Sequence, residues 1–425
     1  MNLSPEQKLA VEYVSGPQII LAGPGSGKTL VIVEKAAYLA ENLGLKPEQV
    51  LILTYNTMTA EELNSRLRKR EQTIPLPEAR TFHSYGQKII QQHFHYLGYK
   101  NPPEVADSYR QYQLQRKAYF QSASIPPGLA NPDNVIKDVK LLISRACDEL
   151  VPPREIIDYI ARKQNDLPTI ADPDQREFAR QQLADLQFAA AFYDNYEKLK
   201  IANDIIDFDD MLFGLYRIIA NNPDVLAAER YHLKYILVDE FQDANSGQVE
   251  TLALLARNSG RICVVGDDDQ SIYRFRGASY GSFVNFKKHF ENVKTHKLSV
   301  NYRSTMPIVT AAHTLITHKT QQRYEQEKFT QAHVQTGEKI GVFISPDTRT
   351  EAQRVTGLIQ NILSNNPELT PDSIAVISRA HDHRREIRNC LAMAQIPVVD
   401  QRPIAIFSIF EVNLLAAILR GALGD

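Results

Sequence analysis

The segment Ala22-Gly-Pro-Gly-Ser-Gly-Lys-Thr29 constrains this chain more than any other stretch. It has the spacing of a phosphate-binding loop, with Ala22 at the first position, where Gly is usual. It follows a short apolar run, Gln18–Leu21, and precedes a helix-like stretch, Leu30–Leu43. Gly23, Gly25 and Gly27, with Pro24 and Ser26 between them, let the backbone curl so that its N–H groups face phosphate oxygens. The start of the following helix adds the positive end of its dipole. In that arrangement Lys28 reaches the β- and γ-phosphates and the Thr29 hydroxyl binds Mg²⁺. The competing reading is a glycine-rich turn with no ligand. The strand–turn–helix context argues against it.

Three further apolar runs accompany the loop: Val50–Thr54, Tyr235–Val238 and Ile262–Val265. They are rich in Val, Ile and Leu without strict alternation, as strands buried on both faces of a parallel sheet are. Helical stretches (Leu30–Leu43, Ala60–Arg70) lie between them, which is the α/β pattern. Residues 88–200 read differently. They are rich in Gln, Tyr, Arg and Lys, have helical spacing in Asn134–Ala146 and Asp174–Leu199, and are broken by prolines. We expect a mostly helical insertion there, with the α/β pattern resuming at Ile205. A second α/β unit begins near residue 280. Its expected strands are Lys297–Val300, Lys339–Ile344, Ile374–Ile377 and Ile396–Val399, and its helices Glu351–Ser364 and His383–Ala394. An apolar helix-like run, Val412–Leu423, comes last.

At 425 residues, two or three domains are expected. The 48 Lys+Arg against 50 Asp+Glu leave a net charge of −2, so bulk charge gives no case for a nucleic-acid or membrane partner. Such a case must rest on local sites. Cys147, Cys263 and Cys390 are far apart and form no CxxC, which points to reduced cysteines in a cytoplasmic protein. The first residues lack a signal-peptide pattern, and no apolar run approaches the ~20 residues of a membrane span.

Tyr235-Ile-Leu-Val-Asp239-Glu240 places two carboxylates at the end of a buried strand. In a parallel sheet that end faces the phosphate loop. Asp239 then holds Mg²⁺, and Glu240 orients and deprotonates an attacking water. Taken alone, a solvated strand end explains the pair equally well. The phosphate loop elsewhere in the chain tips the balance.

Phe241-Gln-Asp243 extends this segment to VDEFQDAN. Val265-Gly-Asp-Asp-Asp-Gln-Ser-Ile-Tyr-Arg-Phe-Arg-Gly-Ala278 and Asn301-Tyr-Arg-Ser304 follow. Together these strings resemble the UvrD/Rep/PcrA group of superfamily 1 DNA helicases, in the right order from residue 3 to about residue 420. The resemblance implies a RecA-like ATP-binding domain at residues 1–87 plus 201–280, a helical insertion at 88–200 and a partial second RecA-like domain at 281–425. It implies that Gln7 reads the adenine edge, that Gln270 contacts the γ-phosphate, that Tyr302 stacks on adenine and that Arg303 meets the γ-phosphate. It implies single-stranded DNA contacts at Tyr55, Phe82, His83, Tyr273, Phe275 and Arg276. For Phe82 and Phe275 an ordinary core position is the alternative. Asp207-Phe-Asp-Asp210 also matches a family string, but a helix N-terminus with Asp207 as cap explains it, and we assign it no chemistry.

The sequence departs from the family at three points. Thr57 and Met58 stand where Asn and Lys are usual, Leu30 stands where an Arg is common, and the family's later motifs, including an arginine finger, do not appear. The expectation is an ATP- and Mg²⁺-dependent DNA helicase or translocase acting on single-stranded DNA or DNA junctions. By resemblance it moves 3′ to 5′ and serves repair or replication. If residue 425 is the true end, it should bind ATP yet hydrolyse it slowly unless a partner supplies the missing motor half. The rival is a non-motor, ATP-gated module that binds DNA or a partner.

Overall fold

A computed structural model describes residues 3–71, 74–122, 131–257, 259–270, 281–318, 330–379 and 381–399. In chain order the elements are α1 (Pro5–Glu12), β1 (Gln18–Ala22), α2 (Lys28–Leu43), β2 (Val50–Thr54), α3 (Thr57–Arg70), β3 (Ala79–Thr81) and α4 (Phe82–His93). Then come β4 (Glu104–Val105), α5 (Ser108–Gln121), α6 (Pro132–Asp148), α7 (Pro153–Asp166), α8 (Pro173–Ala202), β5 (Ile205–Ile206), α9 (Phe208–Asn221) and α10 (Pro223–His232). They are followed by β6 (Tyr235–Val238), α11 (Ser246–Ala256), β7 (Ile262–Gly266), α12 (Ser282–His289), β8 (Lys294–Leu298), β9 (Val300–Thr305), α13 (Met306–Thr317) and β10 (Gln331–Val334). Last are α14 (Thr348–Asn365) and α15 (His381–Met393).

The chain divides into two compact units, residues 1–339 and 340–425. The first is built on an all-parallel six-stranded sheet, ordered β3-β2-β6-β7-β1-β8. Successive strand residues point to opposite faces, and both faces are covered. Ile19, Leu21, Ile236, Val238 and Val264 pack with α4, α9, α11 and α12, while Ile20, Ala22, Leu237, Cys263 and Val265 pack with α1, α2 and α3. That is why these strands read as unbroken apolar runs. The four strands expected from those runs form where predicted. Every strand of this sheet runs the same way, so β1, β7 and β6 deliver their C-terminal ends to one edge.

A separate core, with Tyr119, Ile143, Phe188, Phe192, Tyr193 and Tyr196 among its members, holds α5, α6 and α8 together. The short parallel pair β4–β5 joins the entry and exit of this helical segment. The segment starts later than residue 88, because Ile89, Ile90 and Leu97 pack into the core of the sheet. Asp207 caps α9 in a reciprocal capping box with Asp210, as its sequence context implied. The Lys200 ammonium is fully buried against both carboxylates, 3.3 Å from Asp207 and 2.6 Å from Asp210.

Two expectations for the later residues are corrected. Lys297–Val300 is not one strand of a second sheet: β8 pairs with β1, and after Ser299 the chain re-enters as β9, paired with β10. Phe283, Phe286 and Phe290, on and just after α12, fill the first core, which binds this stretch to the first unit.

In the second unit α14 and α15 pack through Ala352, Ile359, Ile387 and Leu391. Among its described residues no strand forms at 339–344, 374–377 or 396–399. Among the described residues these runs have no ladder neighbour, and Ile377 is 92% exposed. Apolar composition alone does not make a strand without a ladder partner. The run at 412–423 lies outside the described residues. No helix among the described residues is long and apolar enough to cross a membrane.

Candidate functional site

The site lies at the sheet edge where β1, β7 and β6 end. β1 stops at Ala22, the chain turns through Gly23–Gly27, and α2 begins at Lys28. Gly25 and Gly27 have φ of +67° and +87°, the left-handed region that glycine tolerates. Ser26 closes the turn by donating from its hydroxyl to the Gly23 carbonyl at 2.7 Å. The first amides of α2 open onto this edge.

β6 delivers Asp239 and Glu240 to the same edge. Lys28 Nζ stands 3.9 Å from Glu240 Oε2, a charge contact too long for a hydrogen bond. Asp239 is buried, and its Oδ1 accepts the Glu240 N–H at 2.9 Å. Burial, then the Glu240 charge, push the Asp239 carboxyl up to about 7. The same two causes raise Asp243 to about 7, and its Oδ1 is buried without a hydrogen-bond partner among the described residues. Glu240 itself has φ +50° and ψ 41°, a backbone region costly for a non-glycine residue and frequent at functional sites.

β7 supplies the third part. Gln270 donates to Asp267 Oδ2 at 2.6 Å, which places it beside the acidic run Asp267–Asp269. Gln242 ties the parts together. Its amide donates to Glu240 Oε2 at 2.6 Å, and its carbonyl oxygen accepts the Asp267 N–H at 2.9 Å.

The Asn301–Ser304 string lies against the loop tip. The Tyr302 N–H donates to the Gly25 carbonyl at 2.8 Å. Asn301 Oδ1 accepts the N–H groups of Arg303 and Ser304, both at 2.8 Å, and so shapes the turn that presents them. The Tyr302 ring is 42% exposed, 5.1 Å from the His333 ring, and Arg303 is exposed. Gln7 is also brought to the loop, with its side chain engaged within the protein. Its Nε2 donates to the Ser26 carbonyl at 3.0 Å and its Oε1 accepts the Ser4 N–H.

Residues expected on the DNA path fare unevenly. Tyr55 is half-buried at the end of β2. Phe82 is 3% exposed within the core of the sheet, so in this conformation it offers no ring face to a base, and the core alternative applies. His83 is half-buried and meets Phe208 edge-on, ring centres 5.9 Å apart. Tyr273, Phe275 and Arg276 lie outside the described residues. Sequence reasoning missed Gln242, Asn301 and Phe208. Gln242 and Asn301 stand inside strings already singled out, but the role of Gln242 depends on how the ends of β6 and β7 meet, and that of Asn301 on the turn it forms with Arg303 and Ser304. Phe208 is 61% exposed beside His83, and no local pattern marked it.

The UvrD/REP helicase N-terminal domain family matches residues 3–291, and the UvrD-like helicase C-terminal domain family matches residues 296–423. The ATP-dependent DNA helicase Rep of Escherichia coli is 32% identical over 428 residues, which covers 99% of this chain and 58% of that protein. The ATP-dependent DNA helicase PcrA of Staphylococcus aureus is 29% identical over 402 residues, covering 93% of this chain and 50% of that protein. The PcrA of Leuconostoc citreum is 29% identical, with 93% and 49% covered. The chain thus spans about half the length of these relatives.

Proposed function

The chain belongs to the UvrD/REP helicase family, and from that premise we propose that it is the ATP-hydrolysing motor part of an ATP-dependent DNA helicase or translocase. The observation that carries this reading is the 3.9 Å approach of Lys28 to Glu240 at one edge of a parallel sheet. Loop amides and Lys28 bind the triphosphate. Glu240, aimed by Gln242, takes a proton from the attacking water. Gln270, Arg303 and Tyr302 are the γ-phosphate and adenine contacts, Arg303 acting through its planar guanidinium.

Thr29 and Asp239 are the residues that would hold Mg²⁺. The donor set suits a hard divalent cation: a hydroxyl and a carboxylate whose burial beside Glu240 raises it to about 7. Bound there, Mg²⁺ neutralises charge on the phosphate oxygens.

The same reading makes single-stranded DNA or a DNA junction the track, with 3′-to-5′ movement, a role in repair or replication, and a cytoplasmic location. The rival, an ATP-gated binding module, draws on Met58, which is exposed where the family usually carries a lysine. An ATPase assay with and without oligothymidylate separates them. Stimulation of tenfold or more that disappears in Glu240→Gln supports the motor. Tight ATP binding without turnover supports the module. Strand displacement from substrates with a 3′ or a 5′ tail tests polarity.

A further inference from the structure

We infer that α5 carries a second contact for single-stranded DNA, on the helical segment and separate from the sheet edge. Tyr109, Tyr112, Gln113, Arg116, Lys117 and Phe120 recur at helical spacing and line one open groove. The opposite side of the helix, with Ala118 and Tyr119, is buried in the helical core. Large aromatics on the groove side stay in solvent: Tyr109 is 60% exposed and Phe120 63%. A core-seeking helix would not leave three rings on its outer face, and a solvated one would not choose them.

Charge selects the occupant. The fourteen residues of α5 hold Arg110, Arg116 and Lys117 and no carboxylate, in a chain whose net charge is −2. Arg116 lies over the Phe120 ring, 5.9 Å from its centre. Two carboxylates bond to α5 side chains: Asp133 accepts the Tyr112 hydroxyl at 2.7 Å and fixes that ring, and Glu104 pairs with Arg110 at 3.1 Å, which leaves Arg116 and Lys117 as the cations of the groove. Tyr109 to Phe120 spans about 16 Å along the helix axis. Cations interleaved with rings along such a length fit a polyanion with exposed bases: phosphates meet the cations and bases stack on the rings, regardless of sequence. A duplex keeps its bases stacked inside and would leave the rings unused.

The inference rests on the proposed DNA-motor reading, and one titration separates their failures. Labelled oligothymidylate is titrated against the full chain at two salt concentrations, for wild type, for the triple variant Tyr109→Ala/Arg116→Ala/Phe120→Ala, and for Phe120→Tyr. The triple variant should bind at least about tenfold more weakly, with a shallower salt dependence. Its ATPase rate without DNA should be unchanged, which also checks its folding. Phe120→Tyr keeps the ring and should keep the affinity. Equal affinity of wild type and triple variant, or an equal loss in Phe120→Tyr, overturns the α5 contact and leaves the motor reading standing. No affinity in wild type overturns both. A triple variant that changes only self-association marks the face as a protein contact and refutes the inference.

Discussion

The Gln242 side-chain amide donates to Glu240 Oε2 at 2.6 Å. Glu240 sits on a left-handed backbone turn directly after β6, so its carboxylate direction depends on what holds it. Gln242 is itself held by the Asp267 N–H at the end of β7. One neutral side chain therefore couples the ends of two neighbouring strands and aims the acidic group beside Lys28.

Removing that amide should harm turnover more than binding. We expect Gln242→Leu to lower kcat for ATP by about 10- to 100-fold, with KM changing by less than about threefold. Glu240→Gln should lower kcat by roughly 10²–10⁴ while nucleotide still binds. Steady-state ATPase assays with fluorescent-nucleotide titrations read both. A parallel rise in KM for Gln242→Leu would show that the residue shapes the phosphate pocket instead.

Gly25 is the tightest point between the loop and the Asn301–Ser304 string. A Cβ placed there would lie 2.6 Å from Arg303 Cβ and from Asn301 Oδ1, and φ is +67°. Gly25→Ala must both strain the turn and push Arg303 away. Affinity for ATP should fall by about 100-fold or more, with a loss of about 1–3 kcal/mol in stability. Isothermal titration and urea melts measure the two effects separately.

What was legible in the sequence follows from this packing. The loop and its four strands could be read because burial on both sheet faces leaves unbroken apolar runs such as Val50–Thr54, and a helix start after glycines has few other uses. Phe82 was ambiguous because an aromatic next to His, Ser and Tyr suits a surface or a core equally, and only the packing of α4 under the sheet decides. Gln242 and Asn301 were hidden for another reason. Gln242 accepts the Asp267 N–H at the end of β7, a meeting set by sheet order that no local pattern encodes, whereas Asn301 accepts the N–H groups of Arg303 and Ser304, a local turn that its string allows but does not single out. The runs at 374–377 and 396–399 differ: local strand propensity is there, but among the described residues no neighbour pairs with them.

Lys35 ties α1 to α2. Its ammonium, almost wholly buried, donates to the carbonyls of Ala10 at 3.0 Å, Val11 at 3.2 Å and Tyr13 at 2.5 Å, the last turn and C-cap of α1. Three acceptors use all three ammonium donors. Lys35→Met keeps the stem but takes the donor from the carbonyls of Val11 and Tyr13, while the Ala10 carbonyl keeps the Gln18 amide at 2.8 Å, and should cost about 2–5 kcal/mol. Because α1 also carries Gln7 to Ser26, KM for ATP should rise in the same variant. Chemical denaturation and ATPase kinetics test both parts. A stability loss with unchanged KM would separate the anchor from the nucleotide site.

Asp148 joins α6 to the start of α11 through the Asn245 amide at 2.5 Å. Burial first, then the neighbouring Asp209 charge, raise its carboxyl to about 7 from an ordinary 3.8, against the opposing pull of Asn245. The folded protein thus holds a proton between about pH 4 and 7 that the unfolded chain releases, so this contribution to stability is complete below pH 4 and is lost as pH rises through about 7. Asp209, raised to about 6 by burial and Asp207, acts in the same direction. His83 and His296, lowered by burial, act in the opposite direction near their ordinary 6.5. Asp148→Asn isolates the carboxyl. Relative to wild type, its melting temperature should gain as pH goes from about 5 to about 8, by a few degrees, because the variant never places a charge beside Asp209. Thermal melts of both proteins without nucleotide across that range test this, and parallel curves would mean that Asp148 stays ionised in the folded state.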